Sequence, residues 1–113
     1  MKSDWELSYD SFFELMHAWN QAFKVRYFKR NEIDRIFHDD LETILEREDE
    51  IMDLIYYTVA GETSERISKD EKKLGVILFQ KLKRAHRRNG TQPSFSSMAI
   101  KSIGRIKRNL LAE

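Results

Sequence analysis

Six cations near the C-terminal end fall at same-face helical spacing: Lys81, Arg84 and Arg88, then Lys101, Arg105 and Arg108. Steps of three and four residues put each trio on one side of a helix. The first trio is opposite the apolar positions Leu74, Ile77, Leu78, Leu82 and Ala85, and the second is opposite Ala99, Ile103, Ile106 and Leu110. Such a surface can neutralise phosphates along a nucleic acid and release their counterions, which gives affinity without reading sequence. Ser94, Ser96 and Ser97 stand where hydroxyls and a helix N-terminus could add hydrogen bonds to a phosphate. These six side chains are the expected phosphate contacts to DNA or RNA. Only Phe79 and Phe95 are aromatic candidates on this face, too few for a platform that stacks single-stranded bases. The link from Asn89 to Ser96 also exceeds the about three or four residues of a helix-turn-helix.

Charge placement gives these cations their weight. The chain has a net charge of only +1, yet residues 72–113 hold eleven bases against the single acid Glu113. The preceding 71 residues are therefore strongly acidic, above all between Glu32 and Glu71, where fourteen acids face four bases. Glu42, Glu46, Asp49 and Asp53 recur at four, three and four, again one helical face. The basic surface could close on this acidic one within the chain or between two copies. A protein-interaction module, as a homodimer or an adaptor, is thus the alternative to nucleic-acid contact.

Other chemistry finds little support. Glu14 and His17 have the Glu-x-x-His spacing of di-iron bundles, but neither His38 nor His86 follows a Glu by three, so no metal site is expected. Without cysteine there is no disulfide framework or thiolate zinc site, which fits a reducing compartment. No serine has a Gly-x-Ser-x-Gly setting, and Gly61, Gly75, Gly90 and Gly104 are too far apart for a phosphate loop. No catalytic residue and no cofactor is expected. The stretch Glu50-Ile-Met-Asp53-Leu-Ile-Tyr56-Tyr57 resembles the second half of the metal-binding motif of the all-α nucleotide pyrophosphohydrolases related to MazG. That resemblance implies a magnesium-dependent hydrolase using the acidic face of Glu46, Asp49, Glu50 and Asp53. The Glu-x-x-Glu of that family is absent upstream, and Glu62-Thr-Ser-Glu65 follows instead, so no residue role is carried over.

The elements that must position these residues are helices. Four glycines and one proline are few for a sheet protein, and 35% charged residues suit solvated helices. With 113 residues, 41% of them hydrophobic, the chain fits one helical domain over 1–113, acidic in its first two thirds and closed by a basic helix pair over about 69–111. Phe12, Met16, Trp19 and Phe23 set a first amphipathic helix within Trp5 to Phe28. Ser11 with Glu14, or Ser3 with Glu6, would cap its start, and Lys29, Arg30 and Asn31 would mark its end. A second pattern runs from Ile33 through Phe37, Leu41, Ile44, Ile51 and Ile55 to Val59, interrupted at Glu48 and open to a break at His38-Asp39-Asp40, where Asp39 and Glu42 have capping-box spacing. Gly61 ends it, and 62–67 reads as a loop. Ser68 and Glu71 cap a third helix that Asn89-Gly90 stops, and Ser96 or Ser97 caps a last one. Val76 to Phe79 could form a buried strand, but the caps on either side favour helix. Four or five helices in a small bundle or irregular array are expected.

The aromatic and basic run Lys24 to Arg30 could extend a nucleic-acid surface or rest at a membrane interface, although its cations also suit a helix end. No stretch of about 18 apolar residues and no signal-peptide pattern occurs. A cytoplasmic protein without a membrane partner is therefore expected.

Overall fold

The computed structural model describes residues 6–23, 28–64 and 66–112, and these residues are all-helical. The elements are α1 (Tyr9–Phe23), α2 (Arg30–Phe37), α3 (Leu41–Glu46), α4 (Glu48–Ala60), α5 (Lys69–Asn89) and α6 (Ser97–Ala112). The described helices number six, because the pattern expected from Ile33 to Val59 breaks twice.

The first break is a helix end closed by its own backbone. Asp39 takes a left-handed conformation at φ 60°, its N–H donating to Ile36 O (3.1 Å) while the Asp40 N–H donates to Arg35 O (2.9 Å). Glycine is the usual residue there, and an aspartate accepts that backbone at a cost of about 1–2 kcal/mol. Asp40, not Asp39, then caps α3: its Oδ2 accepts from the Thr43 N–H (3.1 Å) and hydroxyl (2.6 Å). The second break falls at Arg47 rather than Glu48, with Arg47 at φ −102° and ψ 20° between α3 and α4. Its guanidinium is bonded to Glu32 at 2.6 Å and reaches Glu50 at 3.5 Å, so the bend is held by an ion pair from α2.

The first helix is shorter than its pattern. Ser8 caps it, accepting from the Ser11 N–H at 3.2 Å, so Ser11 stands inside the first turn and is not the cap. Ser3, Trp5, the side chain of Phe23 and residues 24–27 lie outside the described residues, as does Glu65. Lys29, Arg30 and Asn31 do not close α1 but open α2, where the Glu32 carboxylate accepts from the Lys29 N–H at 2.9 Å. Asn20 ties the two helices, its side chain donating to Phe28 O (2.8 Å) and accepting from Phe28 N–H (2.7 Å).

α5 is the axis of the fold and contacts α1, α3, α4 and α6. Its ends are those the sequence announces. Ser68 and Glu71 form a reciprocal capping box, and Gly90 at φ 76° closes the last turn. Leu74, Val76, Leu78, Leu82 and Ala85 are buried among Phe12, Met16, Ile44, Ile51 and Ile55, with Ile103, Ile106 and Leu110 of α6 against them. Val76 to Phe79 is helical, not a strand. Ser96 caps α6 through the Ala99 N–H at 3.1 Å.

Candidate nucleic-acid interface

The core stripes of α5 and α6 decide where the cations go. Burying Leu74, Leu78 and Leu82 turns Lys83, Arg84, Arg87 and Arg88 outward, and burying Ala99, Ile103, Ile106 and Leu110 turns Lys101, Arg105 and Arg108 outward. Of the six expected contacts, five are therefore exposed. The sixth, Lys81, is only 7% exposed and lies along the edge of the core stripe.

Lys81 is committed to the fold. Its Nζ donates to Phe37 O at 2.7 Å and to Asp39 Oδ1 at 3.0 Å, and it lies 5.5 Å from the centre of the Phe37 ring. The other two cations of its trio converge on the same corner. Arg84 donates to Asp39 Oδ1 at 3.0 Å, and Arg88 donates to the Asp39 backbone carbonyl at 3.2 Å. Burial pushes the Asp39 carboxyl up, but the hydrogen bonds and charges of Lys81 and Arg84 outweigh it and hold the group below the usual carboxylate range. For Lys81 the balance tips the other way: burial lowers its ammonium more than Asp39 raises it. The difference follows from position, since the Lys81 side chain is 8% exposed and that of Asp39 44%.

On α6, Arg105 is held by Glu62 at the end of α4, with Nη2 at 2.8 Å from Oε1 and Nε at 3.2 Å from Oε2. Lys101 and Arg108 are exposed and pair with no acid among the described residues, and the same holds for Arg87 on α5. Arg87 falls outside the two spaced trios, yet it is exposed and adjacent to Arg88. At the end of α5, Arg88 lines one groove with Glu42 and Glu46 of the acidic face. Among the described residues Lys81 and Arg84 pair with Asp39 and Arg105 with Glu62, while Glu42, Glu46 and Asp53 stay exposed, Glu46 within the electrostatic reach of Arg47.

Two features eluded the sequence. Asp39 gathers three cations from 42 to 49 residues away, and nothing local marks it except the His38-Asp39-Asp40 break. His86 is buried in a chain of hydrogen bonds, Nε2 to Glu48 Oε2 at 2.5 Å and Nδ1 to Thr91 Oγ1 at 2.7 Å, which locks the end of α5 to the start of α4. Its signal was its place beside Leu82 and Ala85 on the apolar side of α5.

Glu50 is buried and points to Arg47, and among the described residues no three metal-ligating side chains lie together. None of the described helices is long and apolar enough to cross a membrane. Comparison with protein-family models, with curated proteins and with solved structures finds no match to this chain.

Proposed function

We propose that this is a small non-catalytic regulatory or accessory protein that contacts nucleic acid through the solvent faces of α5 and α6. The observation that carries this reading is the set of exposed cations Arg87, Lys101 and Arg108, unpaired with acids among the described residues, beside the exposed Arg84, Arg88 and Arg105. From Lys72 to Ala112 no acid interrupts them. Arg84, Arg88 and Arg105 keep donors in excess of the bonds they make to Asp39 and Glu62, since a guanidinium has five N–H groups. Phosphates would be bound by Arg84, Arg87, Arg88, Lys101, Arg105 and Arg108, while Lys81 supports the surface from below.

The test is the variant Lys101→Glu/Arg108→Glu, because neither side chain holds the fold. Its affinity for duplex DNA or structured RNA should fall, and the slope of log affinity against log salt should flatten by about one per lost phosphate contact. Unchanged affinity and slope would remove the reading.

A second reading rests on the exposed acids Glu42, Glu46 and Asp53. They leave the protein with separate acidic and basic surfaces, as steered association between copies or with an adaptor's partner would use. Sedimentation at low and high salt checks the homodimer: a salt-sensitive dimer supports it, and a monomer at both contradicts it.

A further inference from the structure

The outer stripe of α6 mixes charge with an open apolar side chain. The helix packs on α4 and α5 and runs for 16 residues, a length of about 24 Å. Opposite its buried Ala99, Ile103, Ile106 and Leu110 stand Met98, Lys101, Arg105 and Arg108, at steps of three, four and three. Among the described residues the large hydrophobic side chains left exposed are Tyr57 and three on α6: Met98, Ile100 and Leu111. Met98, in the first turn, is 76% exposed and so lies outside the core. Phosphates suit the cations of this stripe but offer nothing to a methionine. Unpaired bases would find no ring on α6, which has no aromatic residue, while Phe79 is buried and Phe95 packs on it with ring centroids 4.8 Å apart.

We propose, building on the nucleic-acid reading above, that the ligand is duplex DNA and that α6 lies along its major groove. There the two chemistries of the stripe are met together, because phosphates line the groove and thymine C5-methyl groups project into it. Met98 packs on those methyls, its unbranched thioether adapting to their position. Lys101 and Arg108, which pair with no acid among the described residues, take the phosphates on either side. Arg105 faces the same way but is held by Glu62, so it contributes less. The major groove of B-form DNA is about 12 Å wide and admits a helix. That of duplex RNA is too deep and narrow for side chains to read, which separates the two nucleic acids.

The test compares binding to three duplexes of one length at one salt concentration: alternating dA-dT, alternating dA-dU, which lacks only the thymine methyls, and alternating rA-rU. The protein should prefer dA-dT to dA-dU by about three- to fivefold, the worth of one buried methyl group, and bind rA-rU at least about tenfold more weakly than dA-dT. Met98→Ala should abolish the preference for dA-dT over dA-dU while leaving the slope against salt unchanged, since no phosphate contact is removed. Equal affinity for dA-dT and dA-dU, equal affinity for the DNA and RNA duplexes, or a methyl preference that survives Met98→Ala would each overturn the proposal and leave nucleic-acid contact standing. Binding to none of the three would remove both.

Discussion

Asp39 carries more of the molecule than its half-exposed setting on a turn suggests. Its backbone ends α2 in a left-handed conformation, and its carboxylate neutralises the buried Lys81 while holding Arg84. Removing one member of a buried ion pair leaves the other charged and desolvated, which costs more than deleting the buried charge itself. Asp39→Asn keeps a residue that tolerates the left-handed backbone but withdraws the counter-charge. It should lower stability by about 1–3 kcal/mol in urea unfolding, less than for a fully buried pair because Asp39 is partly solvated. Lys81→Met should cost less than Asp39→Asn, and the reverse order would show that Lys81 is not sensed as a buried charge. The acid limb of stability follows from the same residues. Burial raises the Glu32 carboxyl, but Arg47 and the Lys29 N–H outweigh it, so both Glu32 and Asp39 are held below their ordinary values. The unfolded chain therefore binds more protons than the folded one as pH falls through the carboxylate range near about 4, and stability present above that range is lost below it. Unfolding free energies from pH 6 down to 2.5 should show this loss, with a shallower slope in Asp39→Asn.

At the scale of elements, what is written locally in the sequence is legible and what is imposed from a distance is not. Both ends of α5 are read correctly because Ser68 with Glu71, and Asn89 with Gly90, interact only with their own turns. The core stripes of α5 and α6 emerge from periodicity alone, and so do the exposed positions of Arg84, Arg88, Lys101, Arg105 and Arg108. The break at Arg47 is hidden because its cause, Glu32, is fifteen residues earlier. Lys81 is misjudged for a related reason: the spacing places it next to Arg84 and Arg88, but the arrival of Phe37 and Asp39 buries it. Helix approach gives a further test. A Cβ on Gly75 would lie 2.5–2.8 Å from side-chain atoms of Thr58, which is fully buried and whose hydroxyl donates to Leu54 O. Gly75→Ala should therefore destabilise by about 1–3 kcal/mol despite alanine's better helix propensity, by forcing α4 and α5 apart. A more stable variant in thermal melts would mean that these helices have room to separate.

For the whole molecule, the division of charge along the sequence becomes a division of surfaces. Asp39 and Glu62 absorb part of the basic charge inside the fold, while Arg87, Lys101 and Arg108 stay exposed on α5 and α6 and Glu42, Glu46 and Asp53 on α3 and α4. A net charge of +1 therefore understates the local field of the α5 and α6 faces. The most direct measurement is binding of the purified protein to labelled duplex DNA, single-stranded DNA and structured RNA across a salt series. Nucleic-acid contact predicts measurable affinity at low salt that falls steeply and linearly on a log–log plot, with a slope that counts several phosphates. No binding to any of the three at low salt would contradict it and turn the search for a partner toward proteins.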